Sequence, residues 1–410
     1  MIDLNSFQKT STLLLVSVGI SNLGAWVYFI ALNLIVLEMT GSPFAVSILY
    51  VLVPLASITA NLWSGSLIDR VDTRRLMMLL DVLRACLVFS LGWIDSLWFI
   101  YGVVFILNLM SSLFESSSLV YMTQLVPASN RQKFNAMKNF VQSSGFILGP
   151  TIAGLLFLVG SPTFAIFVNA FALIGSVGML MLLPSHLRTN APVEPLSMRM
   201  IIDDWKVVIR FASNARYVML IYGLFCVMTI FMSGLDSLEA SFATQVLHLS
   251  ESRYGFLVSI AGIGIIAGSL INSRWSHLLS LSFCIGFGGI MTPVGYLLFA
   301  SSSSFMMASV GFFVLTFALA FANTGFLSFY QHHVPVEIMG RFSGVINVGE
   351  SVLVILLTFG IGLLAEIVGI RPVYLAFSIL FFLIGCYTMY VMRDRSKRNY
   401  FTYNQIEEAS

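Results

Sequence analysis

Gly65-Ser66-Leu67-Ile68-Asp69-Arg70-Val71-Asp72-Thr73-Arg74-Arg75 is a short polar break between two long apolar runs. The run before it starts near Pro43 and the run after it near Leu76. About 20 helical residues, at 1.5 Å each, cross the hydrocarbon core of a bilayer. Both runs reach that length, and the arginines and aspartates between them belong in water. The break therefore reads as a hairpin joining two membrane spans.

Outward from this hairpin the same alternation fills the chain. Apolar runs start near Ser11, Pro43, Leu76, Leu97, Phe134, Pro162, Tyr217, Gly255, Leu278, Phe305, Phe342 and Val373, which gives twelve expected spans. They are too long for barrel strands and do not alternate in polarity, so they must be helices. Composition agrees. Of 410 residues, 58% are hydrophobic and 10% charged, where a soluble domain carries about 25% charged residues. The mean hydropathy is +0.91. The first run extends to about Leu37, longer than a signal-peptide core and with no small-residue cleavage site, so it counts as a span.

Orientation follows from the basic residues, because Lys and Arg collect on the cytoplasmic side. Placing the amino terminus inside puts 18 of the 21 Lys and Arg in cytoplasmic segments. Arg84 lies within the membrane, and Arg253 and Arg371 face out. Both termini are then cytoplasmic. The expected division is a six-helix half over 1–183, a linker over 184–215, a second six-helix half over 216–393 and a cytoplasmic tail over 394–410, polar and expected to be flexible. Within the linker, Met198, Ile201, Ile202, Trp205, Ile209 and Ala212 share one helical face, which predicts an amphipathic helix on the cytoplasmic leaflet.

The halves repeat each other. Gly268-Ser269-Leu270-Ile271-Asn272 ends the eighth run as Gly65-Ser66-Leu67-Ile68-Asp69 ends the second. Val126-Pro127 and Phe134 match Val334-Pro335 and Phe342 without a gap, and Gly154-Leu155-Leu156 then falls on Gly362-Leu363-Leu364. Parallel six-span repeats around a midplane site are a transporter architecture.

The opening stretch resembles the signature G-x-x-x-D-R-x-G-R, followed by Arg or Lys, of the major facilitator superfamily, with Asp72 in place of the second glycine. Gly145-Phe146-Ile147-Leu148-Gly149-Pro150-Thr151-Ile152-Ala153-Gly154 resembles the end of the span 5 signature associated with antiporters. Asp81-Val82-Leu83-Arg84 and Leu125-Val126-Pro127 are similar to the macrolide-efflux-like branch of drug:proton antiporters. The resemblance implies the major facilitator fold. It also implies a conformational latch formed by Gly65, Asp69, Arg70, Arg74 and Arg75 against the start of span 11 near Gly340 and Arg341. Span 4 has no arginine, and Glu115 is its one charge. Gly145 with Gly149, and Gly264 with Gly268, are small-xxx-small pairs that permit close helix packing, as does Gly154, while Pro150 can kink span 5.

Charges at membrane depth are expensive and so point to function. Asp81 and Arg84 are three apart on one helix and should pair. Glu115 returns to the level of Leu76 and could meet Arg75 or Arg84. Asp236 and Glu239 lie in the outer part of span 7 without a nearby cation, among Ser233, Gly234, Ser237 and Ser241. Glu350 in span 11 is likewise without a cation, and its repeat mate is Gln142. These carboxylates are the candidates for proton or substrate binding. Trp26, Tyr28 and Asn33 are candidates for a cavity wall, and His332 and His333 for the membrane interface.

The expected function is secondary active transport: proton-coupled export of amphipathic organic compounds, as in drug or macrolide efflux. Alternatives are export of one endogenous metabolite, such as a siderophore or peptide antibiotic, or a non-transporting receptor on this fold. No Gly-x-Ser-x-Gly, His-Glu-x-x-His or Gly-Lys-Ser/Thr motif argues for an enzyme or an ATP-driven pump. Cys86, Cys226, Cys284 and Cys386 show no metal or redox spacing, and no cofactor is expected. With no basic domain, nucleic acid is not an expected partner. The expected partners are a small amphipathic substrate, protons and the bilayer, with the monomer as the working unit in the cell membrane.

Overall fold

A computed structural model describes residues 4–61, 67–68, 71–93, 96–125, 141, 144–145, 148–149, 152–157, 159–184, 198–275, 278–394, 397 and 400–401. The fold is all-α. Its principal helices are α1 (Leu4–Thr40), α2 (Pro43–Asn61), α3 (Thr73–Ser90), α4 (Leu97–Leu125), α5 (Pro162–Met181) and α6 (Met198–Asn214). They continue with α7 (Arg216–Asp236), α8 (Glu251–Arg274), α9 (Leu281–Ala300), α10 (Phe305–His333), α11 (Val336–Val368) and α12 (Ile370–Met392). Eleven of these, all but α6, are long and apolar enough to cross a membrane. Their apolar segments start within four residues of the positions expected from sequence. The remaining expected span, from near Phe134, falls largely outside the described residues.

Local chemistry sets the helix ends. Asp72 accepts a hydrogen bond from the Arg75 amide and caps α3. Ser161 caps α5 with Pro162 at its first turn, and Ser280 and Ser304 cap α9 and α10. Gly369, at φ +104°, makes the one-residue corner between α11 and α12 that a side chain would strain. After α7 the chain passes through a short helical turn, Glu239–Ser241, and a π-type turn, Phe242–Val246.

The chain forms two compact units. One holds Met1–Ser197 with Leu249–Phe256 and Thr358–Leu363, and the other holds Met198–His248, Leu257–Leu357 and Leu364–Ser410. In the first, α5 packs on α1 and α3, and α4 on α2 and α3. In the second, α9 packs on α10 and α12, and α7 on α12. Backbones approach closely there: a Cβ on Gly288 would meet the Ala322 amide nitrogen at 2.5 Å, and one on Gly311 would meet that of Phe299 at 2.8 Å. Gly264 and Gly268 bring α8 against Phe313, Thr316 and Phe317 of α10.

Within the second unit, helix α6 packs through Val208, 3% exposed, and Phe211, beside Tyr222, Phe326 and Phe342. The face read from sequence points the other way: Trp205 and Ile209 are exposed. Tyr400 and Phe401, in the segment after α12, are also held. Tyr400 and Phe401 pack on Tyr217, and Phe401 also on Phe329.

Candidate functional site

The first unit holds a buried charged network. Arg84 Nη1 donates to Asp81 Oδ1 at 3.0 Å, and Arg84 Nη2 donates to Ser21 Oγ at 2.8 Å. Ser176 Oγ donates to Asp81 Oδ2 at 2.6 Å, which leaves the Ser17 hydroxyl, 2.8 Å away, to donate to Ser176. Asp81 is 0% and Arg84 6% exposed. The guanidinium lies 5.1 Å from the Phe114 ring centroid, a cation–π distance. Three helices, α1, α3 and α5, are thus fastened by one ion pair and three serines.

Two cavities of the same unit meet at Arg84. One, of about 270 Å³, is lined by Trp26, Tyr28, Phe29, Leu49, Val104 and Leu107, with Asn108, Ser111 and Asn169 as its polar groups besides Arg84. The other, of about 240 Å³, is lined mainly by polar residues: Ser21, Asn22, Ser111, Glu115 and Ser118 beside Arg84. An aromatic space and a polar space, adjoining through Ala25, Arg84 and Ser111, suit a molecule with an apolar body and a polar head. Glu115 forms no ion pair among the described residues, with Arg75 or with Arg84. Asn33, expected on the same wall, instead donates to the Tyr50 hydroxyl at 3.3 Å.

The second unit holds the other carboxylates. Asp236 Oδ1 accepts from the Tyr296 hydroxyl of α9 at 2.6 Å, and Glu239 lies within electrostatic reach of that hydroxyl. Tyr296 is 1% exposed and packs against Tyr374 and Phe381 of α12. Glu350 sits elsewhere in the unit, accepting from Cys226 Sγ at 3.6 Å, with Thr229 also a side-chain partner. The three carboxylates therefore do not form one cluster. A phenol across the helix interface, rather than the neighbour three residues along, holds Asp236. A buried tyrosine needs a partner for its hydroxyl, and that was the available signal.

Of the residues assigned to a latch, Gly65, Asp69 and Arg70 lie outside the described residues, as does Pro150. Arg74 donates from Nε to the Leu180 carbonyl at 2.9 Å and from Nη2 to that of Met181, closing the C-terminal end of α5. Arg75 is exposed and 3.8 Å from Asp72. Gly145 faces Asn22, Gly149 faces Trp26, and Gly154 approaches Gly255 and Phe256. No group of three or more His, Cys, Asp or Glu among the described residues could hold a metal ion.

Comparison with known proteins gives this arrangement its context. The chain is 26% identical over 400 residues to YfiS of Bacillus subtilis (strain 168), an uncharacterised MFS-type transporter, covering 96% of this chain and 95% of the relative. Its fold is similar to that of the nucleoside transporter NupG, with a TM-score of 0.74 at 13% identity over 94% of this chain and 100% of the other. It is also similar to the human organic anion transporter MFSD10, with a TM-score of 0.62 at 17% identity over 94% and 99%. The profile of the Major Facilitator Superfamily matches residues 14–358, and the chain belongs to that superfamily of membrane transporters.

Proposed function

We propose that this transporter exports amphipathic organic compounds in exchange for protons, in the manner of drug and macrolide efflux. The observation that carries the reading is the pair of adjoining cavities in the first unit: aromatic walls for an apolar body, and a polar space with Glu115 for a cationic head. The direction rests on the antiporter-like glycines of span 5. The basic-residue bias supports cytoplasmic termini in the cell membrane, and the monomer is the working unit in this reading.

The coupling group we favour is Asp236, with Glu239 and Glu350 in support. Ionisation at membrane depth is costly, so proton occupancy of such a carboxyl is linked to its access to water. Asp236 lies in the second unit and the two cavities in the first, so substrate and proton occupy different residues. Exchange then follows if access to the two sites changes together, as the latch residues Gly65, Asp69, Arg70, Arg74 and Arg75 would enforce.

The test is flux in proteoliposomes, using a panel of amphipathic cations with and without an imposed pH gradient. Acceleration by the gradient is expected for wild type. Asp236→Asn should keep exchange driven by a substrate gradient and lose that acceleration. If no compound in the panel moves faster under the gradient in wild type, the reading fails. If Asp236→Asn is still pH-driven, the coupling role passes to Glu350.

A further inference from the structure

Helix α6 spends one apolar face on the protein and keeps a second for something else. Val208 and Phe211 pack it within the second unit. Trp205 and Ile209, one turn apart, stay 43% and 61% exposed. Beside them lies a basic strip: Lys206 and Arg210, also one turn apart, and Arg216 at the start of α7, all exposed. An apolar strip flanked by a basic one is the pattern of a helix lying in a bilayer interface.

Lys397, Tyr400 and Phe401, beyond α12, extend this face. Tyr400 packs on Tyr217 with ring centroids 4.8 Å apart and on His333 at 5.8 Å. Phe401 packs on Phe329 at 5.5 Å. This strap brings Lys397 Nζ to 5.7 Å from the Tyr217 ring, next in sequence to Arg216. Arg393 and Asp394, both exposed, lie at the root of the strap. The segments Arg199–Arg216 and Arg393–Arg398 together carry eight Lys or Arg against three Asp. The whole chain has a net charge of only +2, so in sequence the cationic excess is concentrated in these two segments.

We propose that the outward face of α6, Arg216 and the strapped residues Lys397, Tyr400 and Phe401 form a docking surface for the anionic headgroups of membrane phospholipids. Trp205 and Ile209 enter the acyl boundary, and Arg210, Arg216 and Lys397 meet the phosphates. Charge complementarity selects this occupant. A second copy docked face to face would set these cations against their own equivalents.

The test places a donor fluorophore on the outward end of α6 through Ser213→Cys, with Cys86, Cys226, Cys284 and Cys386 replaced by alanine. Energy transfer to acceptor-labelled phosphatidylglycerol is compared with transfer to acceptor-labelled phosphatidylcholine in mixed vesicles. Enrichment of phosphatidylglycerol is expected at low salt, and it should fall as salt rises. Arg210→Gln, Arg216→Gln and Lys397→Gln should each lower the enrichment, by up to roughly fivefold per cation. Arg210→Lys should retain it, and an unchanged melting profile in phosphatidylcholine confirms that each variant is folded. Equal transfer to both lipids in wild type, or enrichment that survives all three substitutions, would overturn the proposal. Transfer between protein copies without lipid preference would assign the face to self-association instead.

Discussion

Removing Arg84 should be far more damaging than removing Arg84 and Asp81 together. The Asp81 carboxylate is 0% exposed and has two charged or hydroxyl partners, Arg84 and Ser176. Arg84→Met keeps the bulk of the side chain but leaves that carboxylate buried with a single serine. Stranding one member of a buried ion pair costs about 3–5 kcal/mol. Ser176→Ala removes one short charge-assisted hydrogen bond, 2.6 Å long, and should cost about 1.5–3 kcal/mol. The double variant Asp81→Leu with Arg84→Met removes both charges and refills the space. A packed apolar pair in place of a buried ion pair is often neutral or stabilising. The two substitutions should therefore couple by at least about 2 kcal/mol, well outside the scatter of additive sites. Denaturant unfolding of the purified protein in detergent, followed by tryptophan fluorescence, measures all corners of this cycle. If the two losses add to within about 0.5 kcal/mol, the ion pair does not hold these helices together.

Two further outcomes are expected. Glu115→Gln should raise the KM for amphipathic cations tenfold or more, the loss of about 1.5–3 kcal/mol from a charged contact, while uncharged amphipaths of the same size keep theirs; equal effects on both would remove Glu115 from head-group recognition. Gly264→Val should force α8 away from Thr316 and the Phe313 carbonyl of α10 and destabilise the protein by about 1–3 kcal/mol, read as loss of monodisperse protein on size exclusion.

The parts of the fold legible in the sequence are those decided by one helix at a time. A span is about 20 apolar residues, whatever surrounds it. The Asp81–Arg84 pair was legible for the same reason, being spaced to share a helix face. What completes that pair was not legible: Ser17 and Ser21 come from α1 and Ser176 from α5, and a serine in an apolar run carries no mark of its partner. The expected neighbour of Asp236 was Glu239, but the contact goes to Tyr296, 60 residues on, because α7 and α9 meet in the fold and not in the sequence. Helix α6 shows the limit of periodicity. Its pattern revealed the face through Trp205 and Ile209, yet the docking residues Val208 and Phe211 lie on another strip, visible only once α7, α10 and α11 stand beside it.

The charges of the first unit also bear on what its cavities admit. Arg84 lines both spaces, and alone it would favour an anion. Its guanidinium is already spent on Asp81, so from inside either cavity the pair acts as a dipole whose field falls quickly with distance. Glu115 has no ion-pair partner among the described residues and lines the polar space. At an effective dielectric near 20, a unit charge about 4 Å away is worth about 4 kcal/mol, before the cost of stripping water from both groups. That margin separates a cationic head from a neutral or anionic one more sharply than the aromatic walls separate one apolar body from another, since an extra methylene in such a space is worth about 1–3 kcal/mol. If the cavities take the substrate as proposed, they sort ligands by sign of charge first and by shape second. On the proposed reading, tolerance among amphipathic cations rests on Glu115, one helix away from the Asp81–Arg84 network that holds α1, α3 and α5 together.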